Sequence, residues 1–220
     1  MSRGFREIKR NIKTIMKTGQ GNKIAGGNPT RGRVDNDYYA THPDSTKALL
    51  EVEEIIYPAL EPACGEGHIS KLLNMEAVCN VDIVERQKGL GIVKDFLDNS
   101  TDYKINNWLS NFADGAVFET VITNPPFNLF QEFVEKALKV ASKKVIMFGK
   151  LQALEGKKRA TFLQTTPLKY VYVFKSRQQP LRNGSDIDEL SGKKMASSTM
   201  AFAWFVWEKG YVGEPVIRWI

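Results

Sequence analysis

From residue 37 to the end of the chain, short apolar runs alternate with segments patterned as helices. This alternation restricts the fold more than any other feature of the sequence. The clearest runs lie at 57–61, 77–82, 117–123, 144–148, 168–174 and 200–208, with weaker ones at 92–94 and 215–220. Around them, Ala48, Leu49, Val52, Ile55 and Ile56 mark a helix capped at Asp44 or Ser45. Ile69, Leu72 and Leu73 mark a second helix, and Leu129, Phe130, Phe133, Val134, Ala137 and Leu138 a third; residues 155–164 read as a fourth. Strand–helix alternation predicts an α/β sandwich with a mostly parallel sheet and helices on both faces. The last strands follow each other without a helical crossover, so one of them is antiparallel. Residues 176–199 form a polar stretch too long for a bland connection and read as a functional loop.

The chain has 220 residues, of which 42% are hydrophobic and 25% charged, so it suits one domain with a full core plus an appendage. No apolar run approaches the length of a membrane span, and the charged first twenty residues do not read as a signal peptide. Two cysteines, Cys64 and Cys79, make no disulfide framework, so a reducing cytoplasm is the expected compartment. The net charge of +6 is uneven: residues 1–33 hold nine Lys or Arg and one acid, Glu7, and the rest of the chain is slightly acidic. Phe5, Ile8, Ile12, Ile15 and Met16 recur at helical spacing within that arm. The arm therefore reads as a basic amphipathic helix and linker at 1–33, ahead of a catalytic domain at 34–220. Its charges, Lys9, Arg10 and Lys13 among them, either touch nucleic-acid phosphates or stay solvated while the apolar stripe packs on the body.

Three motifs carry chemistry. Glu61-Pro62-Ala63-Cys64-Gly65-Glu66-Gly67 sits at a strand-to-helix turn, where glycines let backbone approach a ligand closely. The acid at Glu61 argues for an ammonium-bearing ligand over a phosphate. Asp82 ends the next strand, where an acid commonly accepts hydrogen bonds from ribose hydroxyls, with Glu85 as competitor. Asn124-Pro125-Pro126-Phe127 follows the run 117–123 and is the most specific signal. Two prolines stop the strand and fix the backbone, so the Asn124 side-chain carbonyl and the next backbone carbonyl converge. Such a pair suits a planar NH2, supporting the positive charge that develops as the amine attacks. Phe127 is placed to stack on a planar target. Cys64 and His68, with Cys79 and His42 as the remaining candidates, fall short of a zinc set, so no metal is expected. Trp204, Phe205 and Trp207 read as core, and Lys157, Lys158, Arg159, Lys193 and Lys194 as solvated charges or phosphate contacts.

In order and spacing these elements resemble the class I S-adenosylmethionine-dependent amino-methyltransferases. The nearest resemblance is to the phage-type adenine-specific DNA methyltransferases. It begins at Asp37-Tyr38-Tyr39-Ala40-Thr41-His42-Pro43, where Ala40 and His42 replace the family's usual prolines. It continues through Asp95-Phe96, through Leu154-Glu155-Gly156 with Arg159, and through Trp204-Phe205-Val206-Trp207, covering roughly residues 35–220. The resemblance implies a Rossmann-like class I methyltransferase fold with a mostly parallel seven-stranded sheet, in a cytoplasm that includes that of a phage-infected or prophage-carrying host.

The same resemblance implies roles. Tyr39 and Thr41 would hold the methionine end of S-adenosylmethionine, Glu61, Ala63, Gly65 and Gly67 would line that ligand, and Asp82 would bind its ribose. Asp95 and Phe96 would flank its adenine. Asn124 and Pro125 would accept from the target amine within the rigid turn that Pro126 completes, Phe127 would stack on the base, and Arg159 would touch DNA, with Lys158 beside it a phosphate contact by its charge alone. The expected reaction is methyl transfer to the exocyclic amine of a flipped-out adenine in DNA. RNA, a cytosine amine or a protein glutamine is the alternative substrate, and a non-catalytic nucleic-acid-binding module is the alternative class.

Overall fold

The computed structural model describes residues 38–98, 103–113, 115–182, 184–185, 187 and 200–220. The basic arm, with Lys9, Arg10 and Lys13, and most of the expected loop at 176–199, Lys193 and Lys194 included, lie outside the described residues.

The strands are β1 (Tyr39–Ala40), β2 (Ala59–Glu61), β3 (Val78–Asp82), β4 (Ile92–Val93), β5 (Thr120–Thr123), β6 (Lys144–Lys150), β7 (Leu168–Val173), β8 (Leu181–Arg182), β9 (Phe202–Glu208) and β10 (Val216–Trp219). The helices are α1 (Pro43–Leu50), α2 (Tyr103–Phe112), α3 (Phe130–Val140) and α4 (Lys157–Gln164). Eight strands form the main sheet in the order β10-β7-β9-β6-β5-β2-β3-β4, and β1 pairs with β8 in a separate two-stranded sheet. Among the described strands of the main sheet only β9 runs antiparallel to its neighbours, β6 and β7, and the β1–β8 pair is antiparallel too. The seven strands implied by the resemblance become eight because β10, within the run expected at 215–220, adds to the outer edge of β7 in parallel register, Val216 opposite Tyr170.

Side chains alternate across a strand, and here both faces are buried. Val121, Val145, Met147, Ala203, Phe205 and Trp207 enter one core, and Ile122, Ile146, Phe148, Phe202, Trp204 and Val206 the other. The first core lies under α2, α3 and α4; α3 contributes Phe133, Val134 and Ala137. Full burial of Phe133 and Val134 contributes roughly 1.5–3 kcal/mol each. The second core lies under α1 through Leu49. Trp204 and Trp207 are fully buried, as core residues.

Two expected helices change. The helix drawn through Ile56 stops at Leu50. Beyond it the Glu53 carboxylate is drawn inward to Lys144 and to the Tyr172 hydroxyl at 2.8 Å. Its cap is His42, whose Nδ1 accepts from the Asp44 N–H at 3.2 Å, ahead of Pro43 in the first turn. The helix expected after Gly67 shrinks to a 3-10 turn at Ser70–Leu72. There the Ser70 N–H donates to the Glu61 carboxylate, while Leu72 and Leu73 bond three residues back, to Ile69 and Ser70. Helix α2 was not expected, although Ile105, Trp108, Leu109 and Phe112 follow helical spacing.

Candidate active site

The chain crosses from strand to loop at the carboxyl ends of β2, β3 and β5, and these three ends meet. The turn after β2 is laced to β3: the Cys64 N–H donates to the Val81 carbonyl at 3.0 Å and the Gly65 N–H to Asp82 Oδ2 at 2.8 Å. Val84 N–H donates to Asp82 Oδ1 at 2.9 Å. Asp82 is thus fixed by one N–H on each oxygen, and each oxygen keeps a lone pair for a further donor. Gly65 has φ +56, and a Cβ there would lie 2.6 Å from the Tyr38 ring. The ring of Tyr38 therefore packs against the turn, with the Arg86 guanidinium 3.9 Å from its centre. Burial pushes the Tyr38 phenol up to about 12.

Glu61 is 1% exposed, and its Oε2 accepts from the Ser70 N–H at 2.9 Å. Desolvation pushes its carboxyl up to about 8, Ser70 offsets part of that, and the nearby Asp82 charge adds to it. Among the described residues no basic side chain pairs with it. A buried carboxylate held this way suits an incoming cation, because a bound ammonium replaces the solvation it has lost. Thr41 is 2% exposed, and among the described residues neither its Oγ1 nor Thr123 Oγ1, beside Asn124, has a hydrogen-bond partner. Buried polar atoms of this kind normally have partners, so these hydroxyls fit a polar ligand at the same strand ends. A cavity lined by Gly65, Asp82, Glu85, Arg86, Gly91 and Ile92 opens beside Asp82. This donor and acceptor set fits the amino acid and ribose of S-adenosylmethionine.

Asn124 follows β5 directly. Its Nδ2 donates to the Tyr39 backbone carbonyl at 2.6 Å. A carbonyl oxygen only accepts, so the NH2 end of the carboxamide must face Tyr39 and Oδ1 must face away. Pro125 is buried, and Pro126 precedes a short turn, Phe127–Leu129, that leads into α3. Phe127 is half-buried; its ring stacks on Tyr39 at 6.0 Å and 21° and meets Phe202 at 5.7 Å.

The remaining expected residues separate. Ala63 lies in the turn with Cys64, whose thiol burial pushes well up. Gly67 has φ +76 and donates its N–H to the Cys64 carbonyl at 2.7 Å. Asp95 is exposed and caps its own loop, Oδ1 accepting from Leu97 N–H at 2.8 Å. Phe96 is buried with its ring 5.2 Å from Phe133, so that ring belongs to the core. Lys158 and Arg159 are exposed on α4, and Arg159 Nε donates back to the Glu155 carbonyl at 2.6 Å. Among the described residues no cluster of His, Cys, Asp or Glu suits a metal ion, and no helix is long and apolar enough to cross a membrane.

Sequence reasoning missed how residues 176–182 and Gly184 are fastened to elements of this site. Ser45 Oγ donates to Gln178 Oε1 at 2.8 Å, β8 pairs with β1 through Tyr39–Arg182, and Gly184 lies against the Glu66 carboxylate. Two-residue strands leave no periodic signal. Arg86 was detectable as a base following a strand-end acid.

No protein-family model matches the sequence, and no curated protein does. Solved structures match its architecture. A Listeria monocytogenes protein described as a class I S-adenosylmethionine-dependent methyltransferase superposes with a TM-score of 0.53 at 14% identity, over 87% of this chain and 68% of that one. The methyltransferase subunit of a type I restriction-modification system from Streptococcus thermophilus gives 0.53 at 9% identity, over 83% and 47%. DrdV, solved in complex with DNA, gives 0.51 at 10% identity, over 81% and 26%. The chain therefore spans about two thirds of the first relative and about half of the second. The strand order, the single antiparallel strand of the main sheet inserted between β6 and β7, and these superpositions together identify the architecture as the class I methyltransferase fold.

Proposed function

We propose that the chain transfers a methyl group from S-adenosylmethionine to the exocyclic amine of adenine in DNA. The orientation of Asn124 carries this reading. With Nδ2 committed to the Tyr39 carbonyl, Oδ1 is an acceptor with a fixed direction beside a rigid Pro-Pro turn. An acceptor of that kind suits a planar NH2, whose attack leaves positive charge on nitrogen. The Pro125 carbonyl is the second acceptor, and Phe127 offers a ring for the target base. Glu61 and Thr41 hold the amino-acid end of the cofactor, and Asp82 its ribose. When bound, S-adenosylmethionine supplies a methyl group already activated on sulfonium. The protein aligns the amine with it and excludes water.

DNA as the substrate is supported by the basic segment at 1–33 and by the type of neighbour: one is a restriction-modification subunit and one is bound to DNA. The test is to incubate the protein with labelled S-adenosylmethionine and unmethylated duplex DNA, structured RNA or a protein extract, then identify the methylated unit by mass spectrometry. Methyladenosine from DNA alone is the expected result. Label in RNA or in glutamine overturns the substrate, and no transfer despite cofactor binding overturns the enzyme.

A further inference from the structure

Arg86 shares the cavity beside Asp82 and has no part in the chemistry above. That cavity is lined by Arg86 and Asp82 together, with Gly65, Gly91 and Ile92. Each carboxylate oxygen of Asp82 already accepts from one backbone N–H, of Gly65 or of Val84. The capacity it keeps is for accepting further hydrogen bonds, whereas a guanidinium only donates. The Nε of Arg86 is buried and has no hydrogen-bond partner among the described residues, Asp82 included. Buried N–H groups normally have one, so this donor fits an acceptor that arrives with a ligand.

The guanidinium is held in place from behind. Its carbon lies 3.9 Å from the centre of the Tyr38 ring. The same ring sits so close to the glycine turn that a Cβ at Gly65 would be 2.6 Å from it. Gly65 is also the residue whose N–H fixes Asp82 Oδ2. Acid, glycine, ring and cation are therefore one connected unit along the wall of the cavity.

A donor and an acceptor side by side restrict what can enter. An ammonium satisfies Asp82 and leaves Arg86 without an acceptor. A phosphate satisfies Arg86, as an arginine near such an acid does for a phosphorylated ribose, but Asp82 repels it. A vicinal diol meets both groups, because each hydroxyl donates and accepts. The unmodified ribose of S-adenosylmethionine is such a diol.

We propose that Arg86 and Asp82 clamp the ribose diol of the cofactor, the acid accepting from its hydroxyls and the Arg86 Nε–H donating to one of them. The proposal rests on S-adenosylmethionine as the ligand of the glycine turn, and not on the identity of the methyl acceptor.

The test is calorimetric binding of S-adenosylhomocysteine, of its 2′-deoxy and 3′-deoxy analogues, and of the analogue that lacks the α-amino group. Wild type is compared with Arg86→Met, which keeps an apolar stem over Tyr38, and with Arg86→Lys, which keeps the charge but has a methylene in place of Nε. Both variants should bind S-adenosylhomocysteine about 10–100-fold more weakly, as expected for a lost hydrogen bond to a charged donor. Deleting one of the two hydroxyls should then cost about tenfold less in the variants than in wild type, because the contact is already gone. Deleting the α-amino group, which Glu61 would meet, should cost the same in every protein. Hydroxyl penalties equal in wild type and variants overturn the proposal. So does an amino penalty that falls together with the hydroxyl penalty, since that marks general loss of the pocket, and so does wild-type behaviour in Arg86→Lys. Failure of the wild-type protein to bind S-adenosylhomocysteine at all overturns the cofactor reading itself. If the hydroxyl penalties shift as expected while no substrate is methylated, the clamp stands and the methyl-transfer reading fails.

Discussion

Glu61 gives the sharpest test of the cofactor site because its proton has to leave. Its carboxyl sits at about 8 in the folded protein, against 4.5 for the free side chain, and burial is the main cause. Near neutral pH the ligand-free protein therefore holds Glu61 mostly protonated. An α-ammonium is best held by a carboxylate, so binding below about pH 8 should release one proton. One proton released per ligand tightens binding about tenfold per pH unit, or about 1.4 kcal/mol, between about pH 6 and pH 7. The gain levels off near pH 8, because an α-amino group itself deprotonates at about 7.7–8.0. Affinity should thus pass through a maximum near that pH.

Calorimetry with S-adenosylhomocysteine checks this, run in buffers of different ionisation enthalpy so that released protons are counted directly. Glu61→Gln should bind more weakly and lose the slope between pH 6 and 7. A wild-type affinity flat across that interval, or a slope retained in Glu61→Gln, would refute the assignment of Glu61 to the ammonium. Stability gives an independent reading of the same proton. Between about 4.5 and 8 the folded state binds more protons than the unfolded one, so unfolding free energy falls as pH rises through that window and levels above it. Glu61→Gln should flatten that limb in urea titrations.

Three other substitutions probe other links. Asn124→Ala should lower kcat by about 10²–10³-fold while leaving the affinity for S-adenosylhomocysteine within about twofold, as expected for a group that acts on the amine alone. Glu53→Ala leaves the Lys144 ammonium, 12% exposed, without its carboxylate and should cost about 3–5 kcal/mol in urea unfolding; a loss under about 1 kcal/mol would mean the pair is solvated. A Cβ at Gly149 would lie 2.5 Å from the Phe130 ring, so Gly149→Ala should cost about 1–3 kcal/mol and, by pushing on the turn that carries Phe127, lower methyl transfer as well.

Periodic patterns carried most of the fold. The runs that became β3, β5, β6, β7 and β9 were visible because buried strands read as continuous apolar stretches. The antiparallel β9 was foreseeable from the missing crossover. What failed was local competition for backbone donors. Ile69, Leu72 and Leu73 have helical spacing, yet the Glu61 carboxylate takes the Ser70 N–H and the turn tightens to 3-10. Glu53, an ordinary acid just after an apolar-patterned helix, gives no hint that its carboxylate pairs with Lys144. At the site, spacing brought Glu61, Asp82 and Asn124 forward because each ends or directly follows a strand. Phe96 also follows a strand, but its ring turned into the core against Phe133, and no pattern in one sequence separates those two fates.

The position of Tyr39 joins the parts that the sequence left separate. Its carbonyl holds the Asn124 carboxamide, its ring stacks on Phe127, and its backbone lies in β1 opposite Arg182 of β8. The same small sheet opens the segment expected to meet the substrate, and Gly184 just beyond it rests on Glu66 in the glycine turn. A displacement of β8 therefore bears on the amine acceptor through one peptide group and on the cofactor turn through one carboxylate. A loose sheet would let the Asn124 amide rotate and offer its NH2 to the target in place of Oδ1, turning an acceptor into a second donor. On the proposed reading of Asn124, the two-stranded sheet, too short to be stable alone, would position the acceptor through the Tyr39 carbonyl.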